Sequence, residues 1–371
     1  MALAQLYVGL MSGTSMDGVD AVLVDFNGLQ PRLLAHVHHE FAPELRRELL
    51  LLNVSGTDEL HRAAVAAQHL ARAYAWAVDD LLLHAEIDAS QVRALGAHGQ
   101  TVRHRPDAGY TIQLNAPAAL AELARIDVIA DFRSRDIAAG GQGAPLVPAL
   151  HAAVFASDKP RAVVNIGGIS NLTGLPGKGA TEPVIGFDCG PGNVLIDAWA
   201  LQHLGEPIDR DGRWAAGGNV NGALLAVLLA EPFLALAPPK STGRELFNAD
   251  WLRARMAAVH ERLDPHDVMT TLTRFTAAAI SAALKEHFAK AEDVVVCGGG
   301  ARNATLLKML AEHVAPRPLH VSDELGIAAE HVEAIAFAWL ARAFCERRAG
   351  NVPSVTGAEG ERILGALYPA R

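Results

Sequence analysis

The feature that most constrains this 371-residue chain is a pattern that occurs twice: an apolar strand, a short turn of glycine and polar residues, and a returning strand. The first copy joins residues 6–11 to 19–26, and the second joins 162–166, through 167–171, to a strand that begins at Leu172. We find no fixed-period repeat, so the copies belong to larger units. The recurrence predicts two related lobes.

Strand-like and helix-like segments alternate along the rest of the chain. Residues 60–85 have the apolar spacing of a packed helix, and 92–96 and 294–296 predict strands. A helix is expected from Val194, capped by Asn193 and stopped at Gly205. The mixture predicts an α/β fold, each lobe being a mixed sheet flanked by helices. We place the first lobe at 1–130 with 350–371, and the second at 131–349.

Composition and charge exclude several classes of function. The formal charge is −9 and the basic residues are scattered, so neither nucleic acid nor a membrane surface is an expected partner. The three cysteines lack paired-ligand spacing, which argues against a disulfide framework and a zinc site. The N-terminus has no basic residue before Arg32, and the apolar stretch 223–236 is interrupted by Glu231 and Pro232. We expect a cytoplasmic protein with a small-molecule ligand.

The first turn has the composition of a phosphate-binding loop. Backbone N–H groups and hydroxyls of such a turn can hold phosphate oxygens while a carboxylate faces magnesium. It is not a Walker loop, since no G-x-x-x-x-G-K-[ST] occurs. An ordinary hairpin turn explains the loop equally well when it is taken alone. The predicted ATP-binding residues are Gly13, Thr14, Ser15, Met16, Asp17, Gly18, Val19 and Asp20, with Asp17 and Asp20 as candidate Mg²⁺ ligands.

The second turn favours the phosphate interpretation of the first, because a nucleotide held between two lobes needs donors from each. A glycine triplet after the strand at 294–296 would let the backbone approach an adenosine closely, although a plain strand-to-helix turn is the commoner explanation. The predicted ATP-binding residues of the second lobe are Asn165, Gly167, Gly168, Gly298, Gly299, Gly300 and Asn303.

Asp188 is the candidate catalytic residue. It lies where a strand runs into Cys189-Gly190-Pro191-Gly192, a segment too rich in glycine and proline for the interior of an element. A carboxylate at a strand end can act as general base toward an incoming nucleophile. The alternative is that Asp188 serves only as a turn or cap residue.

Polar residues after strand-like runs are candidates for binding a sugar. The predicted substrate-binding residues are His98, Gln100, Arg133 and Gly190. The alternative is a loop histidine with satisfied hydrogen bonds and a surface arginine. The loop at 240–245 either closes over a cleft or is simply solvated. Metal-dependent hydrolysis and thiol catalysis are disfavoured, since no usual metal spacing occurs and Cys189 has no neighbouring histidine in sequence.

Nine segments, in order, resemble the motifs of the anhydro-N-acetylmuramic acid kinase family. The most specific is Gly9-Leu10-Met11-Ser12-Gly13-Thr14-Ser15-Met16-Asp17-Gly18-Val19-Asp20. The others are residues 98–101, 131–133, 140–146, 165–171, 187–193, 240–245, 297–303 and 353–358. The resemblance covers essentially the whole chain. One departure is Cys189, where the family motif commonly has threonine, a small-for-small change that leaves Asp188 in place.

The resemblance implies the two-lobed actin-like ATPase fold shared by sugar kinases, Hsp70 and actin, with ATP and Mg²⁺ as cofactors. It implies that an anhydro amino sugar is both hydrolysed and phosphorylated, giving N-acetylmuramic acid 6-phosphate for peptidoglycan recycling. Asp188 would take a proton from the water that attacks the anomeric carbon. Residues 13–20 would hold ATP phosphates, 298–303 would lie near adenosine, and Arg133 would face the lactyl carboxylate or the ring. Homodimerisation is inferred from the family only.

Three alternatives remain open from the sequence. A conventional sugar or polyol kinase of this fold would use Asp188 on a substrate hydroxyl. A chaperone-like or filament-forming ATPase would need a client-binding region, and the motif at 297–303 already lies in the last quarter of the chain. A non-catalytic regulator would be expected to lack the base, yet Asp188 is present.

Overall fold

The structure, a computed structural model, describes residues 5–13, 16–28, 30–244 and 246–371. The chain divides into two units, Met1–Leu150 with Gly326–Arg371 and His151–Leu325. Relative to the expected lobes, residues 131–150 and 326–349 group with the first unit rather than the second. The sequence offered no linker to mark these boundaries, because one helix runs through the first of them.

Groups of strands are separated by helices along the chain. The strands are β1 (Leu6–Met11), β2 (Gly18–Asp25), β3 (Arg32–Glu40), β4 (Val92–Ala97), β5 (Gln100–Arg105), β6 (Tyr110–Leu114), β7 (Val128–Ala130), β8 (Arg161–Ile166), β9 (Ile169–Leu175), β10 (Ile185–Pro191), β11 (Asp293–Cys297), β12 (Leu319–Val321) and β13 (Ala366–Tyr368).

The α-helices are α1 (Pro43–Leu51), α2 (Glu59–Ala85), α3 (Pro117–Ala124), α4 (Ser134–Ala138), α5 (Val147–Val154), α6 (Val194–Leu204), α7 (Gly222–Leu229), α8 (Ala249–Ala257), α9 (Pro265–His287), α10 (Ala304–Val314), α11 (Val332–Cys345) and α12 (Pro353–Thr356). Helix α5 contains the unit boundary. None of the helices within the described ranges is long and apolar enough to cross a membrane.

The first unit is built on a six-stranded sheet in the order β13-β7-β4-β1-β2-β3, with β5 and β6 as a separate hairpin. Strands β1, β2 and β3 are antiparallel neighbours, whereas β4 runs parallel to both β1 and β7. Helix α11 packs directly on β1 and β4. A Cβ at Gly9 would lie 1.9 Å from the Ala334 carbonyl oxygen, and one at Gly96 would lie 2.0 Å from that of Phe337. This contact explains why residues 326–349 belong to the first unit.

The second unit repeats the same core order. Its five-stranded sheet runs β10-β9-β8-β11-β12, with β8, β9 and β10 antiparallel and β11 parallel to both β8 and β12. In both sheets the hairpin strands stand beside two parallel strands that come later in the chain. The predicted α/β class, with two related mixed sheets flanked by helices, is confirmed.

Two local predictions need correction. The turn of the second hairpin is only Gly167-Gly168, because β9 already begins at Ile169. Helix α6 ends at Gly205 as predicted, but the Asn193 side chain makes no capping hydrogen bond. Its Nδ2 instead donates to the Ile166 carbonyl, at 3.4 Å. A local capping rule could not anticipate that β8 would present this acceptor.

Candidate active-site residues of the two units

Side chains stabilise the first turn through hydrogen bonds. Ser12 is buried, and its hydroxyl lies 2.8 Å from the Tyr74 hydroxyl and donates to the Gly99 carbonyl at 3.1 Å. Burial raises the pKa of Tyr74, which keeps the phenol neutral and able to bond. Within the turn, the Met16 N–H donates to the Gly13 carbonyl, 3.2 Å away. Two predicted ATP contacts, Thr14 and Ser15, lie outside the described residues.

Gln100 ties this turn to strand β5. Its Nε2 donates to the Gly13 carbonyl, at 3.2 Å. Its Oε1 is buried and has no hydrogen-bond partner among the described residues. A buried acceptor without a partner carries a cost unless a ligand or water supplies a donor. The structure therefore gives Gln100 a supporting bond to the turn and one open acceptor.

The two aspartates of the first turn differ in their surroundings. Asp20 Oδ1 lies 2.9 Å from His38 Nδ1, and this bond raises the pKa of His38. Asp17 is exposed and directly precedes β2, the second strand of the first hairpin. The described ranges contain no cluster of three or more His, Cys, Asp or Glu residues that could hold a metal ion. One or two carboxylates are nevertheless enough for Mg²⁺ bound with nucleotide phosphates.

His98 and Arg133 form a buried pair. Arg133 Nη2 donates to His98 Nε2 at 3.0 Å, and its Nη1 donates to the Gly143 carbonyl at 2.8 Å. Burial and the adjacent guanidinium lower the pKa of His98 to about 3, so the ring is neutral. Because Nε2 accepts a hydrogen bond, the ring proton is assigned to Nδ1. The Arg133 guanidinium is thus bonded to protein groups, which sequence reasoning did not foresee.

A cavity of about 240 Å³ opens beside His98 within the first unit. It is lined by His98, Thr111, Ile112, Gln113, Asn115, Pro117, Ala130, Asp131, Ser134 and Tyr368. Asp131 adopts the left-handed conformation, with φ of 59°, which aspartate tolerates better than most residues. Of the predicted substrate-binding residues, His98 alone lines this cavity.

The second turn is held by backbone groups. The N–H groups of Gly192 and Asn193 donate to the carbonyls of Gly168 and Gly167, at 2.9 and 2.8 Å. A Cβ at Gly192 would lie 2.2 Å from the Gly167 carbonyl oxygen, so glycine is required for this approach. The predicted ATP contacts Gly167 and Gly168 are therefore fixed against the segment that follows Asp188.

The glycine triplet also packs against strand β8. Gly298 has a φ of +83°, and a Cβ there would lie 2.5 Å from Asn165 Oδ1. A Cβ at Gly300 would lie 2.3 Å from Ile166 Cγ2. Asn303 caps α10, its Oδ1 accepting from the Leu306 N–H at 2.9 Å. The structure thus brings Asn165, Gly298 and the second turn together, and it gives Asn303 a structural role at the helix start.

Asp188 lies at a β-bulge within the edge strand β10, which continues to Pro191, so the prediction that the strand ends at Asp188 is wrong. Asp188 pairs with Asn171 and Gly190 pairs with Ser170, which leaves Cys189 as the inserted residue. Gly190 has a φ of +150°, a conformation that disfavours any side chain. The Cys189 thiol is buried and donates to the Ser170 carbonyl at 3.3 Å, and burial raises its pKa. The bulge changes the local direction of β10 at Asp188. The buried Cys189 thiol has a structural role.

The loop that begins at Lys240 holds the Asp188 carboxylate. The Asp188 N–H donates to the Lys240 carbonyl at 3.1 Å, and the Thr242 N–H donates to Asp188 Oδ2 at 3.0 Å. Lys240 is itself buried, and its Nζ donates to the carbonyls of Phe233 and Leu234 at 3.2 and 2.9 Å. The loop is therefore anchored against Asp188. The motif had been open to two interpretations, and its contact with Asp188 was not predicted.

Solved structures identify the class of fold. Component A of the Acidaminococcus fermentans (R)-2-hydroxyglutaryl-CoA dehydratase aligns with a TM-score of 0.50 at 14% identity, covering 90% of this chain and 96% of that one. The Clostridium difficile activator of 2-hydroxyisocaproyl-CoA dehydratase, with bound ADPNP, aligns with a TM-score of 0.50 at 12% identity, covering 92% and 96%. At these identities the likeness concerns the fold alone, which is that of the actin-like ATPases.

Sequence comparison defines the family within that class. The family described as anhydro-N-acetylmuramic acid kinase matches residues 5–370. Proteins of that name from Bordetella petrii and Cupriavidus pinatubonensis are 58% and 54% identical to this chain, covering 99% and 98% of it and 97% and 98% of themselves. The chain belongs to the anhydro-N-acetylmuramic acid kinase family, and the resemblance seen in the motifs is confirmed.

Proposed function

We propose that this protein uses ATP to phosphorylate 1,6-anhydro-N-acetylmuramic acid and opens the 1,6-anhydro bridge with water. The products are N-acetylmuramic acid 6-phosphate and ADP, and the pathway served is peptidoglycan recycling. Family membership over residues 5–370 supports the substrate. The observation that carries the chemistry is the Asp188 carboxylate, oriented at Oδ2 by the Thr242 N–H.

Asp188 acts as general base in this proposal. It takes a proton from water as the water oxygen bonds to the anomeric carbon and the bond from that carbon to O6 breaks. O6 then bonds to the γ-phosphorus, and the bond from γ-phosphorus to the bridging oxygen breaks to release ADP. The O6 alkoxide is a poor leaving group in water, so an in-line phosphoryl group that captures it lowers the barrier.

The remaining residues divide between nucleotide and sugar. We assign ATP binding to Gly13, Thr14, Ser15, Met16, Asp17, Gly18, Val19, Asp20, Asn165, Gly167, Gly168, Gly298, Gly299, Gly300 and Asn303. His98, Gln100, Arg133 and Gly190 serve the sugar. Arg133 acts through His98, since its guanidinium is bonded to that ring and to the Gly143 carbonyl.

We assign Mg²⁺ to Asp17, which is exposed, and to Asp20, whose carboxylate also bonds His38. Mg²⁺ bound with ATP would neutralise charge on the phosphates during transfer. The cytoplasm, where ATP is available, is the proposed compartment, and a homodimer is the proposed assembly.

The test is a reaction with Mg-ATP and 1,6-anhydro-N-acetylmuramic acid in oxygen-18 water, followed by mass spectrometry of the rapidly quenched product. We expect a phosphorylated sugar with oxygen-18 at its anomeric hydroxyl and none in its phosphate. Phosphorylation of simple hexoses without turnover of the anhydro sugar would contradict the assignment. Label in the phosphate would contradict the proposed order of bond changes.

A further inference from the structure

The second unit contains a buried network of polar side chains that the proposed chemistry does not use. His151 Nδ1 lies 2.9 Å from the Thr173 hydroxyl, and His151 Nε2 lies 3.8 Å from the Cys297 sulfur. The Cys297 sulfur lies 3.7 Å from Asn165 Oδ1. Each of the four side chains is at most 1% exposed. Burying polar groups costs free energy unless they bond one another, so their arrangement is specific.

The direction of each hydrogen bond in this network follows from the protons available. Burial lowers the pKa of His151 to about 3, so its ring is neutral and carries one N–H. The Cys297 thiol donates to Asn165 Oδ1. Because the thiol proton is used there, we assign the ring proton to His151 Nε2, which donates to the sulfur. Nδ1 then accepts from the Thr173 hydroxyl. Every donor from Thr173 to Asn165 therefore has one acceptor.

The network ends where the two glycine segments assigned to ATP approach each other. Asn165 is two residues before Gly167, the first residue of the second turn. A Cβ on Gly298 would lie 2.5 Å from Asn165 Oδ1 and 2.6 Å from the Ile166 carbonyl oxygen. The thiol thus bonds the same oxygen that Gly298 approaches. A movement of the Asn165 amide would change the separation of the second turn and the glycine triplet.

Strand register places the network on the sheet face that carries the proposed base. Cys297 pairs with Asn165, Asn165 pairs with Asn171, and Asn171 pairs with Asp188. Residues paired directly across neighbouring strands project from the same face of a sheet. Asn165 and Asp188 therefore belong to one row of side chains across the second sheet.

We propose that His151 is a positioning residue for ATP binding: through the Cys297 thiol it fixes the Asn165 amide between the two glycine segments. The inference rests on the proposed function, and specifically on the assignment of Asn165 and Gly298 to ATP. His151 needs no contact with the nucleotide in this role. Without the N–H at Nε2, the thiol loses the bond that orients it toward Asn165. Nucleotide binding must then order the amide, which lowers the affinity.

The test measures the Kd of Mg-ADPNP, a non-hydrolysable ATP analogue, by isothermal titration calorimetry without sugar. His151→Phe keeps a ring of similar size and removes both hydrogen bonds, and it should raise the Kd about fivefold. His151→Gln should stay within about twofold of wild type, because its Nε2 can replace the ring N–H as donor to Cys297. Ser281→Ala is the matched control. It removes a buried hydroxyl that bonds the His313 carbonyl in the same unit, and the Kd should not change.

A double-mutant cycle separates positioning from a general loss of stability. Asn165→Ala should itself raise the Kd. Adding His151→Phe to Asn165→Ala should then change the Kd by less than about twofold, because the amide on which His151 acts is gone. Equal effects of His151→Phe in both backgrounds would show a merely structural role and overturn the inference. Should His151→Phe not fold, Cys297→Ala takes its place in the cycle, and Cys297→Ser, which keeps a donor, replaces His151→Gln.

The outcomes separate the inference from the function on which it rests. A wild-type Kd in His151→Phe would overturn the inference. So would a wild-type Kd in Asn165→Ala. In both cases the proposed reaction stands, because turnover of the anhydro sugar in oxygen-18 water is measured separately. If wild type binds no Mg-ADPNP, the proposed use of ATP fails and the inference falls with it.

Discussion

The two hairpin turns share a sequence pattern but are stabilised in different ways. In the first unit, side chains hold the turn: Ser12 bonds Tyr74, and Gln100 reaches the Gly13 carbonyl. In the second unit, backbone N–H groups hold the turn, and Gly192 approaches it too closely for any side chain. The two turns therefore have similar compositions but are stabilised by different groups. The second turn should be sensitive to added volume, and the first to lost hydrogen bonds.

The largest effect is expected at Asp188, which lies within β10, the strand that leads to Gly192 and the second turn. Asp188→Asn should lower kcat by about 10²- to 10⁴-fold, because an amide cannot accept the proton from water. The ATP KM should be nearly unchanged. Initial rates with the anhydro sugar measure both quantities. The control is Asp158→Asn, which removes a carboxylate that is 92% exposed in the same unit. Activity close to wild type in Asp188→Asn would remove Asp188 from the mechanism.

The comparison of the two turns is tested most directly by adding one methyl group. Gly192→Ala would place a Cβ 2.2 Å from the Gly167 carbonyl oxygen, so the turn must shift. We expect a loss of about 1–3 kcal/mol in unfolding free energy and a raised ATP KM. Gly222→Ala is the matched control, because a Cβ there meets nothing within 4 Å. If the two variants behave alike, the second turn does not depend on close approach.

The sequence revealed the hairpins and the packed helix α2, because periodic apolar residues are local signals. It also indicated, from the Gly and Pro cluster after Asp188, that the backbone is irregular there, although the strand continues to Pro191. It could not reveal the bond from Thr242 to Asp188 or the bond from Gln100 to the Gly13 carbonyl. These depend on contacts between residues far apart in the chain. Thr242 and Asp188 are 54 residues apart in the sequence, so no local periodic pattern relates them.

One buried histidine in each unit should contribute equally to acid destabilisation, although the two turns differ. His98 in the first unit and His151 in the second are buried, and burial lowers the pKa of each to about 3. A depressed histidine pKa stabilises the fold fully above the unfolded value of about 6.5, and this stabilisation is lost as pH falls toward 3. Each histidine should contribute a slope of about 1.4 kcal/mol per pH unit in that window.

Urea unfolding between pH 4 and 7 measures this slope. His151→Gln and His98→Gln should each reduce the slope by the contribution of one proton relative to wild type. A variant whose slope equals that of wild type would mean that the histidine it lacks is protonated or exposed in the native state. A reduction confined to one variant would break the expected equivalence of the units.

The smallest effect is expected where a side chain supports the first turn. Gln100→Leu removes the bond from Nε2 to the Gly13 carbonyl, and it also removes the unpartnered Oε1. Losing the bond should cost about 1 kcal/mol in holding the loop, which corresponds to a roughly fivefold higher ATP KM. Losing the unpartnered acceptor should offset part of any fall in unfolding free energy. Gln68→Leu, at an exposed position of α2, is the control.

A higher ATP KM with little change in stability would show that side chains tune the first turn for its ligand, whereas the second turn is fixed by its backbone. An unchanged KM would show that the first turn keeps its shape without Gln100, and the contrast between the two turns would then rest on Ser12 and Tyr74.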